Sequence, residues 1–78
     1  MPSPLPKKID LGFALITVRY VGAKRMRDEG ECEEGDLTPE GLWDTDHDTI
    51  WVLKQSRKSM QVIICHELVH AAMDLRDA

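Results

Sequence analysis

No apolar run in this chain approaches the ~20 residues that a membrane-spanning helix needs, and the stretch 11–21 is broken by Arg19. The N-terminus carries Lys7 and Lys8, but no small-residue cleavage site follows an apolar region, so a signal peptide is not read. A cytoplasmic location is the expectation. There are only two cysteines, Cys32 and Cys65, and neither belongs to a C-x-x-C pair; two thiols fit better than one disulfide. Aromatic residues are scarce, and none stands between the basic residues Lys24, Arg25 and Arg27. A nucleic-acid surface normally interleaves charge with stacking rings, so a nucleic-acid partner is not expected. The chain is also short. Seventy-eight residues make one domain with a small core, which an ion or an oligomer contact would help to stabilise.

Charge falls in blocks. Residues 1–27 hold six of the ten basic groups, whereas residues 28–48 hold ten of the fourteen acidic groups and no basic one. The run Asp28-Glu29-Gly30-Glu31-Cys32-Glu33-Glu34-Gly35-Asp36 is too polar and too glycine-rich to pack, and reads as a solvated acidic loop over 28–36. Before it, three prolines in the first six residues predict an extended arm over 1–10. Residues 11–78 then form the single domain.

Within that domain, β-branched and aromatic residues at Ile16, Thr17, Val18, Tyr20 and Val21 predict a strand that ends at Gly22. Leu42 and Trp43 begin a second strand, and Thr49-Ile50-Trp51-Val52-Leu53 forms a third. Asp44-Thr45-Asp46-His47-Asp48 between them has the composition of a hairpin loop. Its D-x-D-x-D spacing copies the start of a calcium-binding loop, but Thr49 stands where Gly is needed and Gln55 where Glu is needed. An Asp-rich turn is the better reading. Residues 60–75 contain no Pro or Gly and are apolar nearly all round, which predicts a buried helix capped by Ser56 or Ser59. The expected fold is α+β, with a small three-stranded antiparallel or mixed sheet packed on this helix.

The one polar strip on that helix is His66-Glu67-Leu68-Val69-His70. Residues four apart on a helix lie about 40° apart and roughly 6 Å along its axis, so both imidazoles can reach one zinc ion at about 2.0–2.1 Å. Zinc acidifies a bound water, and Glu67 stands beside it to take the proton, which is the chemistry of a zinc peptidase. His66 and His70 are therefore the expected metal ligands and Glu67 the catalytic base.

Gly41-Leu42-Trp43-Asp44, then Thr49-Ile50-Trp51-Val52-Leu53, then His66-Glu67-Leu68-Val69-His70-Ala71 resembles the core of the small phage and prophage zinc peptidase-like proteins related to the ImmA/IrrE metallopeptidases. The resemblance covers about residues 41–72. It implies a minimal zincin-like fold, zinc bound by His66 and His70, Glu67 as general base, and a peptide or protein substrate lying along the strand 49–53. The chain departs from the pattern after His70. Catalytic zinc normally has three protein ligands, and only eight residues follow His70. The long H-E-x-x-H-x-x-G-x-x-H motif is excluded, because Met73 occupies the Gly position and Arg76 that of the third His. Asp74 and His47 are the first candidates for the third ligand. An acidic-loop carboxylate, Asp77, a second subunit and a segment outside this chain are the other sources. Two functions are consequently expected to compete: a zinc-dependent peptidase, and a non-catalytic zinc-binding regulatory or interaction module of phage origin, with a homo-oligomer among its partners.

Overall fold

A computed structural model describes residues 5–77, without the side chain of Asp77. Two strands, β1 (Lys8–Asp10) and β2 (Leu15–Val21), are followed by a short helix α1 (Ala23–Glu29). Strands β3 (Gly41–Asp44) and β4 (Thr49–Leu53) then lead into a long helix α2 (Arg57–Asp77). The sheet has four strands in the order β1-β2-β4-β3, one more than the sequence suggests. The class is α+β with a mixed sheet: β1 and β3 lie antiparallel to their neighbours, while β2 and β4 pair in parallel at the centre.

The additional strand comes from the end of the proline-rich segment. Lys8, Ile9 and Asp10 carry free amide hydrogens and pair with Thr17, Ile16 and Leu15. A tight turn returns the chain between them: Leu11 donates its N–H to the Ala14 carbonyl at 2.9 Å, Asp10 Oδ1 accepts from Gly12 N at 2.7 Å, and Gly12 adopts φ 87°. That left-handed geometry is where glycine has no Cβ penalty. The segment is fixed further by the Tyr20 hydroxyl, which donates to the Pro6 carbonyl. Residues 1–4 of the expected arm lie outside the described residues.

Helix α1 takes up the start of the acidic run, since Asp28 and Glu29 are its last residues. The remainder of the loop is tied back to α1. Arg27 donates through its guanidinium to the carbonyls of Glu33 and Asp36 and to Thr38 Oγ1, so the basic cluster engages the acidic loop mainly through backbone oxygens. Met26 is the buried anchor of this helix.

Alternation places Ile16 and Val18 of β2 and Ile50 and Val52 of β4 on one face of the sheet, where Ile64 and Ala71 of α2 complete the core. The opposite face carries Thr17, Arg19, Thr49 and Trp51. There the Trp51 ring lies beneath the guanidiniums of Arg19 and Arg25, at 5.2 and 5.3 Å, which ties α1 to this side. Ser56 caps α2 as expected, with Ser59 N–H donating to Ser56 Oγ at 3.3 Å.

The expected burial of α2 is corrected by the structure. Among its described residues only Ile64 and Ala71 are buried, whereas Val62, Val69 and Met73 are about 60% exposed. A single sheet covers one side of a helix, and the apolar residues on the other side face solvent. No helix among the described residues is long and apolar enough to cross a membrane.

Candidate metal centre and the adjoining cleft

The helical rise brings His66 and His70 into one pair. Their Nε2 atoms stand 3.2 Å apart, with the rings edge to face and their centroids 4.8 Å apart. Two nitrogens bound to one tetrahedral ion at about 2.0–2.1 Å are themselves roughly 3.3–3.4 Å apart. The pair therefore fits two positions of such an ion with almost no adjustment. Without an ion, the same spacing lets one neutral imidazole donate to the other. The His66 side chain is 68% exposed, so this half-site opens to solvent.

Glu67 is placed differently. Its side chain is 12% exposed, and its Oε2 lies 3.9 Å from His66 Nε2. What covers it is the start of β3. A Cβ on Gly41 would come within 2.4 Å of Ile63 Cγ2, closer than real side chains approach, and would stand 3.0 Å from Glu67 Cγ, a tight contact. Only glycine lets the edge strand lie this near the helix. Beside this contact runs a cleft of about 300 Å³, lined by Glu40, Gly41, Val62, Ile63, His66 and Glu67. One wall is the end of an edge strand, and the other is the helix that carries the histidine pair. Glu40, Val62 and Ile63 line the cleft without belonging to any motif; for Ile63 the signal is its position one turn before Glu67, on the same face.

Neither Asp74 nor His47 joins the histidines. Asp74 accepts from Trp43 Nε1 at 3.1 Å and from the Thr45 hydroxyl, so it holds the β3–β4 hairpin onto α2. These two donors, Thr45 first, keep its carboxyl below the ordinary carboxylate range. His47 sits in the hairpin loop with Nδ1 2.9 Å from Asp44 Oδ2. It borders a different hollow, with Arg19, Arg25 and Trp51. Its hydrogen bond to Asp44 and that residue's charge raise its pKa. For Asp44, desolvation pulls upward but is outweighed by His47 and by the N–H groups of Asp46 and His47, so the net shift is downward. The D-x-D-x-D run thus builds the turn: Asp44 Oδ1 also accepts from Asp46 N at 3.0 Å, and Asp48 takes a left-handed φ of 46°. Cys32 and Cys65 are both free thiols, with Cys65 exposed on α2.

Among the described residues, no group of three or more His, Cys, Asp or Glu is placed to hold a metal ion. The chain supplies two imidazoles at a spacing that suits one ion, a nearby carboxylate and a cleft. Compared with known proteins, it matches no family model, no curated protein and no solved structure.

Proposed function

We propose that this chain is a zinc-dependent peptidase of minimal zincin-like build, acting on an extended peptide or protein segment. The observation that carries the reading is the placement of Glu67 at the junction of the histidine pair and the edge-strand cleft. His66 and His70 would hold the ion. Zinc, when bound, supplies Lewis acidity toward a carbonyl and toward water. Glu67 is positioned to accept a proton beside the pair and to return it to a leaving amine. The strand 49–53, expected to receive the substrate, is β4, which pairs with β2 on one edge and β3 on the other and has no edge free; among the described residues β3 pairs only with β4, so its other edge would offer backbone N–H and C=O groups to an extended substrate. A peptide added there would run along the cleft wall past Glu67.

The test is zinc binding together with hydrolysis of a peptide library. Glu67→Gln should keep the metal and lose about 10²–10⁴-fold in rate, the usual contribution of a general base. Full hydrolysis by protein stripped of zinc would remove the proposal. A second reading, a non-catalytic zinc-binding interaction module, is favoured by one observation: the described residues bring together two ligands rather than three. Under it, wild type and Glu67→Gln capture the same partner and both leave it uncleaved.

A further inference from the structure

The residues of α2 that face away from the sheet form an ordered line. Val62, His66, Val69 and Met73 are separated by four, three and four positions, the spacing of a helix-pairing seam. At about 100° per residue, these four and His70 fall within roughly 100° of the helix circumference. The three aliphatic members are 59–63% exposed, so this chain leaves the line uncovered over the described part of α2.

The spacing reads the same in both directions, and this selects the occupant. The midpoint of the line falls between Glu67 and Leu68, and the midpoint of the histidine pair falls at Leu68. The offset is half a residue, under ~1 Å along the axis. An antiparallel copy of the same helix therefore sets Val62 against Met73 at both ends and brings the two histidine pairs together at the centre. Each pair already has the separation of two ligands on one tetrahedral ion, and two pairs make four.

We propose that two copies of this chain associate through the outward line of α2, with His66 and His70 of each copy on one zinc ion. The area available shows why the ion is needed. Three side chains exposed to this degree offer on the order of 200 Å² per copy, against the ~800 Å² per partner of a stable interface. Without zinc the apolar line is too small to hold a pair. With four imidazoles on the ion no position is left for a substrate, so the pair is the closed form and the separate chain the open one. This inference rests on the zinc-binding half of the proposed function and not on its chemistry.

Sedimentation equilibrium of the full chain with and without zinc is the test. The expected result is a shift from one 8.9 kDa chain to two, with one zinc per two chains. His66→Ala and His70→Ala should each abolish the shift. All seam variants are at exposed positions, and their folding is checked by circular dichroism. V62K/M73K places like charges opposite each other and should weaken the pair at least tenfold. V62K/M73E should recover it, because antiparallel pairing sets the two new charges of opposite sign face to face, whereas parallel pairing would set like against like. Zinc bound one per chain, with the mass unchanged, overturns the pairing and leaves the peptidase proposal standing. No zinc binding by the wild-type chain removes both. Equal pairing by V62K/M73K and V62K/M73E overturns the assigned orientation and seam.

Discussion

Replacing Gly41 with alanine tests the contact that places the cleft. In an unconstrained strand this change stabilises by roughly 0.5–1 kcal/mol, because glycine loses more backbone freedom on folding. Here the new methyl would stand 2.4 Å from Ile63 Cγ2 and 3.0 Å from Glu67 Cγ. Glu67 can move the end of a flexible side chain. Ile63 cannot yield as easily, because a β-branched residue in a helix has essentially one favoured χ1, and departing from it costs about 0.5–1.5 kcal/mol. The alternative is for β3 to withdraw from α2, with an overpacking cost of about 1–3 kcal/mol. Subtracting the entropic gain from the overpacking cost leaves Gly41→Ala destabilising the chain by about 0.5–2 kcal/mol in urea unfolding. Ile63→Ala removes the obstructing methyl. In the double variant the alanine at position 41 should become neutral or stabilising, giving a favourable coupling of at least ~0.5 kcal/mol in a double-mutant cycle. If Gly41→Ala alone is as stable as wild type, the close approach of β3 to α2 is refuted, and with it the shape of the cleft.

Two further outcomes follow from the hairpin. Asp74→Ala should lower the urea midpoint and change tryptophan fluorescence, since Trp43 Nε1 and Thr45 lose their acceptor; Asp74 helps stability above pH 3.8, and that help is lost as pH falls through its lowered folded pKa. An NMR titration should find His47 protonated to above its ordinary 6.5, with the stabilisation present below pH 6.5 and lost as pH rises through the raised value; Asp44→Asn should remove the largest cause and lower it.

Local signals account for what could be read directly. Ser56 before an uninterrupted apolar-rich segment marked the start of α2, and Asp-rich residues between two short apolar runs marked the β3–β4 hairpin. The histidine pair followed from helical spacing alone. Strand β1 was hidden because its three residues acquire their role only by pairing with β2, and the prolines before them dominate the local pattern. Helix α1 has seven residues and one buried side chain, Met26, which is too little to generate a periodic signal. The parallel pairing of β2 with β4 joins segments about thirty residues apart in sequence and leaves no mark on either. The apolar composition of α2 suggested burial on all sides. Composition records how much apolar surface a helix carries, but the number of layers that cover it is a property of the whole fold.

The same argument explains how one helix serves two environments. Ile63, Glu67 and Asp74 are spaced by four and seven residues, so they share a line about 60–100° around α2 from His66. That line lies beneath the hairpin: Gly41 rests on Ile63 and Glu67 at one end, and Trp43 and Thr45 grip Asp74 at the other. A carboxylate two turns beyond His66 is therefore drawn toward the strand and away from the histidines. The hairpin covers Glu67 and leaves His66 and His70 in the open. Any further group reaching His66 and His70 would approach from the solvent side, where Val62, Val69 and Met73 are exposed. The hairpin that draws Asp74 away from the histidines, through Trp43 and Thr45, is thus the same one that lies against Glu67 at Gly41.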